Sequence, residues 1–228
     1  MNSQSSNLNV INISLNLPFS DQKPGTSGLR KSTKHFQQPH YLESFVEAIF
    51  QTLPGVAGGT LIVGGDGRYG NLNAIQTIIR MGSAHGLNKI ITTIDGILST
   101  PAASHLIRKN NAIGGIILSA SHNPGGINGD FGVKVNGSNG GPASESLTNA
   151  IYLCTQSLKG YKTLDSSSIS LKDHCSYSIN KTSVQVIDGL DEYIQLMQKL
   201  FDFDQIRDFI NRDFPIAFDG LNAVTGPY

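Results

Sequence analysis

Between residues 41 and 120 the hydrophobic positions switch repeatedly between helical spacing and short continuous runs. Apolar residues first recur every three or four positions up to Pro54-Gly55, which predicts an amphipathic helix. Short apolar runs then alternate with further helical stretches. The predicted order is helix 41–53, strand 60–63, helix 72–79, strand 89–94, a helix capped by Thr100 with Pro101 in its first turn, and strand 114–120. This alternation predicts an α/β fold with a mixed, largely parallel sheet and helices on both faces.

The rest of the chain extends this pattern less clearly. Apolar positions at 10–15 could add an edge strand, and Val133 and Val135 alternate with a lysine on a short strand. A helix is expected from near Pro142, followed by a polar connector over 160–182. Strands at Val184–Ile187 and Pro215–Phe218 flank one more predicted helix. We therefore predict one domain over residues 1–185 and the incomplete start of a second α/β domain over 186–228.

Composition narrows the classes of function. The 39% hydrophobic content excludes a disordered chain, and 17 basic against 17 acidic residues argue against electrostatic binding of nucleic acid. The longest apolar stretch, Ile113–Ala120, is too short to cross a membrane. Two cysteines without a C-x-x-C motif favour a reducing compartment. We expect a cytoplasmic protein that contacts neither nucleic acid nor membrane.

Glycine is concentrated around one serine. Nine of the 25 glycines lie between residues 114 and 141, on both sides of Ser121, which follows a predicted strand. Ligands of such sheets bind at the carboxyl ends of the strands, and glycine lets backbone N–H groups converge on an anion. Ser121 could therefore carry a phosphoryl group, with Lys134 as a candidate cation. His122 could orient the serine or only hydrogen-bond within the loop.

Two further loops carry candidate chemistry. Residues 65–70 satisfy G-x-G-x-x-G after a predicted strand, so an NAD-binding module of the Rossmann type is an alternative. Bulky residues at positions 68 and 69 weaken that alternative. The turn-rich segment 21–31 contains the hydroxyls of Thr26 and Ser27 and the guanidinium of Arg30, which suit a phosphate. The alternative for this segment is a solvated turn. The alternative for the serine loop is likewise a glycine-rich turn with no chemical role.

Taken together, these segments resemble the phosphoglucomutase branch of the α-D-phosphohexomutases. The resemblance rests on Asp21-Gln-Lys-Pro-Gly-Thr-Ser-Gly-Leu-Arg-Lys31, Gly64-Gly-Asp-Gly-Arg-Tyr69, Ser119-Ala-Ser-His-Asn-Pro-Gly-Gly126, Asn128-Gly-Asp-Phe-Gly-Val-Lys134 and Asn139-Gly-Gly-Pro142. It implies the family's first α/β domain and interconversion of glucose 1-phosphate and glucose 6-phosphate through a phosphoserine and glucose 1,6-bisphosphate.

The resemblance also assigns roles residue by residue. It implies that Ser121 is the phosphoserine and that its phosphate coordinates Mg²⁺, with His122 and Lys134 as further catalytic residues. Substrate phosphate would be bound by Thr26, Ser27, Arg30 and Lys134. Ser119 departs from the family's usual threonine but keeps the hydroxyl.

The larger departure from the family is in the length of the chain. The family's metal loop, sugar-selecting loop and C-terminal phosphate-binding loop all come later than the part that resembles this chain, so the chain is expected to be an N-terminal fragment of doubtful activity alone. A non-catalytic remnant or interaction module is the main alternative. Apolar residues of the incomplete second domain are expected to promote self-association.

Overall fold

The structure is a computed structural model that describes residues 8–25, 27–212 and 215–228. Its strands are β1 Val10–Ser14, β2 Leu29–Ser32, β3 Thr60–Gly65, β4 Lys89–Thr93, β5 Gly114–Leu118, β6 Asp130–Gly137, β7 Gly160–Leu164, β8 Cys175–Ile179 and β9 Thr182–Ile187. Its helices are α1 Thr33–Phe36, α2 Tyr41–Thr52, α3 Asn71–Ala84, α4 Thr100–Lys109, α5 Glu145–Ser157, α6 Gly189–Leu200 and α7 Phe203–Ile210.

Seven strands form one mixed sheet in the order β2-β6-β5-β3-β4-β9-β8. The four strands β5, β3, β4 and β9 are parallel, whereas β2, β6 and β8 pair antiparallel with their neighbours. The predicted α/β class is confirmed, with the parallel strands in the interior and antiparallel strands towards both edges. The carboxyl ends of β3 and β5 therefore lie side by side, since Gly65 pairs with Leu118.

Helices cover both faces of the sheet, as predicted, because the central strands are apolar on both sides. On β3, Leu61 and Val63 belong to the core beneath α2, α3 and α5, while Ile62 belongs to the core beneath α4. Tyr193 of α6 packs against the second core. A strand buried on both faces reads as a continuous apolar run, which is why these strands were predictable.

The polar segment 160–182, predicted to be a connector, contains two strands instead. β7 pairs antiparallel with β1 in a separate two-stranded sheet, which confirms the suggested N-terminal strand, and β8 pairs antiparallel with β9. These strands are only partly buried and contain polar residues, Lys162 and Thr163 in β7 and Ser176 and Ser178 in β8. They lack the continuous apolar run that reveals a buried strand.

The C-terminal region also differs from its predicted pattern. β9 extends from Thr182 across the proposed boundary at 185/186 and lies parallel to β4 in the main sheet. The division into two domains remains a prediction. Residues 215–228 form turns and contain no strand, so the strand predicted at Pro215–Phe218 is wrong for the described residues. Ile216 and Phe218 are 58% and 76% exposed, so no packing favours an extended segment there.

Two local features complete the framework. The cap of α4 is Ser99, whose Oγ accepts the N–H of Ala102 at 3.4 Å, rather than the predicted Thr100. Tyr228 packs edge-on against Tyr193 and its hydroxyl accepts the N–H of Ser99 at 3.1 Å. No helix in the described part of the chain is both long and apolar enough to cross a membrane.

Candidate active site at the serine loop

The loop that carries Ser121 connects β5 to β6 at the carboxyl end of the parallel strands. Because β3 ends beside β5, the loop at 66–70 lies next to it, and the N–H of Asp66 donates to the carbonyl of Leu118 at 3.0 Å. Sequence order separates these two loops by about fifty residues, and the sheet brings them together.

Ser121 has an unusual backbone conformation. Its φ is 59°, in the left-handed region, and its N–H donates to the Oγ of Ser119 at 3.0 Å. A left-handed conformation costs an L-residue about 1–2 kcal/mol. Such strain persists where surrounding contacts hold it, and Ser121 is exposed, so its hydroxyl is open to a reactant.

Arg68 connects the two loops. Its Nε and Nη2 donate to the carboxylate of Asp66 at 2.9 and 2.8 Å, Nη1 donates to the carbonyl of Asp130 at 2.7 Å, and Nη2 donates to the carbonyl of Ser121 at 3.2 Å. The side chains of Arg68 and Asp66 are 7% and 14% exposed. The start and the end of the serine loop are thus held by one guanidinium.

The far side of the serine loop is supported by α1. The Oγ1 of Thr33 donates to the carbonyl of Gly126 at 2.9 Å, and its N–H donates to the carbonyl of Gly129 at 2.8 Å. Within the loop, Asn123 Nδ2 donates to Asp130 Oδ2 at 2.6 Å. These contacts were not predicted, since only the Asn-Pro-Gly-Gly turn signal was visible in the sequence.

Two cations lie on adjacent strands beside this loop. Arg30 of β2 pairs with Gly132 of β6, and Lys134 is two residues further along β6. Burial and the charges of Arg30 and Arg68 lower the pKa of Lys134, while Asp66 opposes the shift. The Nε of Arg30 is buried and has no hydrogen-bond partner among the described residues. A cluster of cations without a full set of partners favours binding of an anion.

The segment before β2 packs directly against Lys134. Gly25 and Gly28 exchange two backbone hydrogen bonds at 3.0 Å, which closes a tight turn with Ser27 exposed. Gly28 has a φ of 87°, and a Cβ there would lie 2.3 Å from the carbonyl oxygen of Val133. Thr26, predicted to bind phosphate, lies outside the described residues.

His122 is exposed next to Ser121. No hydrogen bond joins its ring to another residue in the part of the chain that the structure describes. The suggested orienting role of His122 therefore remains a prediction, as do the catalytic and phosphate-binding roles of the other candidates.

The residues around Ser121 do not form a metal site by themselves. Among residues 8–25, 27–212 and 215–228, no group of three or more His, Cys, Asp or Glu side chains could hold a metal ion. The two nearby carboxylates are engaged, Asp66 by Arg68 and Asp130 by Asn123. The donors present do not fit a bound Mg²⁺, so no chemical step is assigned to the metal.

The glycines of the G-x-G-x-x-G pattern serve internal packing. A Cβ at Gly65 would lie 2.3 Å from the carbonyl oxygen of Leu118, and Gly67 and Gly70 have φ of 78° and 89°. Arg68, between them, is bound to Asp66 and to the serine loop. These contacts explain the pattern without a dinucleotide.

The chain is similar to known proteins over most of its length. A family model described as phosphoglucomutase/phosphomannomutase, alpha/beta/alpha domain I, matches residues 21–162. The phosphoglucomutases of Emericella nidulans and Rhizobium radiobacter are each 50% identical to it over 92% of this chain. The match covers 38% and 39% of those relatives, so the chain spans little more than a third of their length.

A solved structure supports the same similarity. The open form of pp63/parafusin from Paramecium, described as an exocytosis-sensitive phosphoprotein and phosphoglucomutase, superposes with a TM-score of 0.91 at 44% identity. That superposition covers 96% of this chain and 42% of the Paramecium chain.

Proposed function

Because the chain belongs to the phosphoglucomutase/phosphomannomutase family, we propose that it is the serine-bearing domain of a phosphoglucomutase. The reaction would interconvert glucose 1-phosphate and glucose 6-phosphate through a phosphoserine at Ser121 and glucose 1,6-bisphosphate. The observation that carries the proposal is the exposed, left-handed Ser121 beside the incompletely partnered cations Arg30 and Lys134.

The chemistry assigned to these residues is transfer of one phosphoryl group. The bond between the serine oxygen and phosphorus breaks, a bond forms from a sugar hydroxyl to phosphorus, and the hydroxyl proton passes to the serine oxygen. Arg30 and Lys134 would stabilise negative charge on the transferred group. The lowered pKa of Lys134 makes its proton easier to release, which suits it to carry that proton during transfer. Ser27 and Thr26 would bind phosphate oxygens.

Mg²⁺ belongs to the proposal through family membership alone. When bound, the ion would neutralise charge on the phosphoryl group, with the phosphate of Ser121 as one ligand. The carboxylates near Ser121 are already engaged, so the other ligands must come from outside the described site.

We propose that this chain alone has negligible mutase turnover. Uncatalysed phosphate-monoester chemistry requires up to about 10²¹-fold acceleration, and a serine with two cations supplies a small part of it. A non-catalytic interaction module is the second candidate. Slow transfer of one phosphoryl group to Ser121 is expected of the serine-bearing domain of a mutase and not of an interaction module.

The test is transfer of label from radiolabelled glucose 1,6-bisphosphate in the presence of Mg²⁺. The wild-type chain should take up label, but no more than one labelled phosphoryl group per chain. Ser121→Ala should take up none. Ser176→Ala is the matched control, since it removes an exposed hydroxyl on the edge strand β8, away from the serine loop, and should leave labelling unchanged. Absence of label in the wild-type chain, or equal label in Ser121→Ala, would contradict the proposal.

The partners and location remain proposals as well. Self-association is supported by the apolar surface of α7, all of whose residues are exposed, and by Leu200 and Phe201 at 61% and 55% exposure. A cytosolic location is supported by the two free thiols, Cys154 and Cys175. No nucleic-acid partner is proposed, in keeping with the balanced charge.

A further inference from the structure

We propose that Arg68 is a positioning residue that holds the backbone of the serine loop in the conformation presenting Ser121, and that it does not bind the transferred phosphate. The inference rests on the proposed function for its catalytic consequence. Its structural part rests only on the contacts of Arg68 with three neighbours.

The charge of Arg68 is already neutralised. Its Nε and Nη2 form a two-pronged pair with both carboxylate oxygens of Asp66, at 2.9 and 2.8 Å. Fork-to-fork pairs of this kind fix the plane of the guanidinium. Both side chains are largely buried, so the pair cannot turn towards a ligand without breaking. A phosphate at Ser121 would therefore find less net charge on Arg68 than on Lys134 or Arg30.

The remaining donors of Arg68 bind the loop backbone at two points. One reaches the carbonyl of Ser121 at 3.2 Å and the other reaches the carbonyl of Asp130 at 2.7 Å. The N–H of Ser121 is held separately by Ser119. Because both backbone polar groups of Ser121 are bonded, its left-handed φ has little freedom to relax.

Lysine cannot replace this geometry. Its ammonium is a compact point charge and cannot span a carboxylate and two carbonyls in one plane. Arg68→Lys therefore keeps the charge and loses the positioning, whereas Arg68→Met loses both. A role in phosphate binding predicts that Arg68→Lys retains function, and a positioning role predicts that it fails like Arg68→Met.

The experiment compares the wild-type chain with Arg68→Lys, Arg68→Met and a control, Arg80→Met. Arg80 is on α3 and hydrogen-bonds Thr77, away from the serine loop. Hydrogen exchange of peptides covering residues 119–132 should become about tenfold faster in both Arg68 variants, because each loses charged hydrogen bonds to the loop. Exchange in the core of β3 and β4 should stay unchanged, which shows that the variants remain folded.

Label transfer from glucose 1,6-bisphosphate provides the second measurement. Both Arg68 variants should lower the rate at saturating donor by about tenfold or more, with little change in the donor concentration that gives half the maximal rate. Unchanged loop exchange in both variants would overturn the inference, and so would normal transfer by Arg68→Lys. If the wild-type chain takes no label, the proposed function fails, and loop exchange alone decides the role of Arg68.

Discussion

Replacing Gly28 with alanine tests the packing of the segment before β2 against β6. A Cβ at Gly28 would lie 2.3 Å from the carbonyl oxygen of Val133, 2.8 Å from the Cα of Lys134 and 3.0 Å from its Cγ. The two closest atoms belong to the backbone and cannot rotate away. The methyl group must therefore move the turn or β6, and with it Lys134.

The cost has two parts. The φ of 87° imposes about 1–2 kcal/mol on an alanine, and forcing an extra carbon into packed backbone costs about 1–3 kcal/mol. Gly28→Ala should therefore reduce the free energy of unfolding by about 2–5 kcal/mol, a large share of the roughly 5 to 15 kcal/mol of a typical domain. Gly86 supplies the control, since its φ is 80° and a Cβ there would meet nothing within 4 Å.

Urea unfolding of both variants measures the difference directly. Gly86→Ala should show the conformational cost alone, and Gly28→Ala should lose about 1–3 kcal/mol more. Both substitutions remove the same flexibility from the unfolded chain, so that effect cancels in the comparison. Equal stability of the two variants would refute the close packing of the turn on β6.

Three further variants test two buried or half-buried charges and the apolar surface of α7. The buried carboxylate of Glu47 is hydrogen-bonded to His85, to Gln51 and to the N–H of Lys162, so Glu47→Gln should lose about 1.5–3 kcal/mol at pH 7. Burial opposes ionisation of Glu47, but the hydrogen bonds to its carboxylate leave its pKa lowered. The loss of stability in Glu47→Gln should therefore shrink as the pH falls below about 4.3, and a loss that does not depend on pH would contradict this. Burial and the charges of two arginines lower the pKa of Lys134, so the stability of the wild-type chain should rise as the pH increases towards about 10.4. Lys134→Met should raise the Tm by about 2 °C, a small effect because solvent screens a half-exposed charge, and a lower Tm would contradict this. Phe203→Asp with Ile206→Asp should shift sedimentation towards the monomer, and an unchanged profile would argue against self-association through α7.

The interior of the fold was predictable because its strands are buried on both faces. The apolar runs at 60–63 and 114–120 identify β3 and β5, and helical spacing identifies α2 and α3. β7 and β8 were missed because half-buried, polar strands acquire their identity from pairing with distant segments. β9 was identified as a strand, but its place beside β4 depends on long-range pairing that a local pattern does not contain.

The position of the serine loop was also predictable from the sequence, but the contacts that hold it were not. Ser121 could be placed at the end of a strand because it directly follows the apolar run 114–120. The proposed positioning role of Arg68 could not be predicted, because it depends on a side chain that reaches a backbone carbonyl 53 residues away in the sequence. In the sequence, Arg68 only looked too bulky for a dinucleotide loop. Asp66 two residues before Arg68 was the one local signal, since their spacing permits a paired carboxylate and guanidinium.

The proposed phosphoserine role of Ser121 can be tested without turnover. Phosphoserine is encoded at position 121, and its second pKa is determined by phosphorus NMR across a pH titration. With Arg30 and Lys134 beside the loop, that pKa should fall below about 6, the usual value for phosphoserine. Lys134→Met should raise the second pKa of the phosphoserine again. Lys89→Met should leave that pKa unchanged, because Lys89 begins β4 at the end of the sheet opposite to the serine loop. A second pKa equal to that of a short phosphopeptide, and insensitive to Lys134→Met, would contradict a phosphoserine site at Ser121.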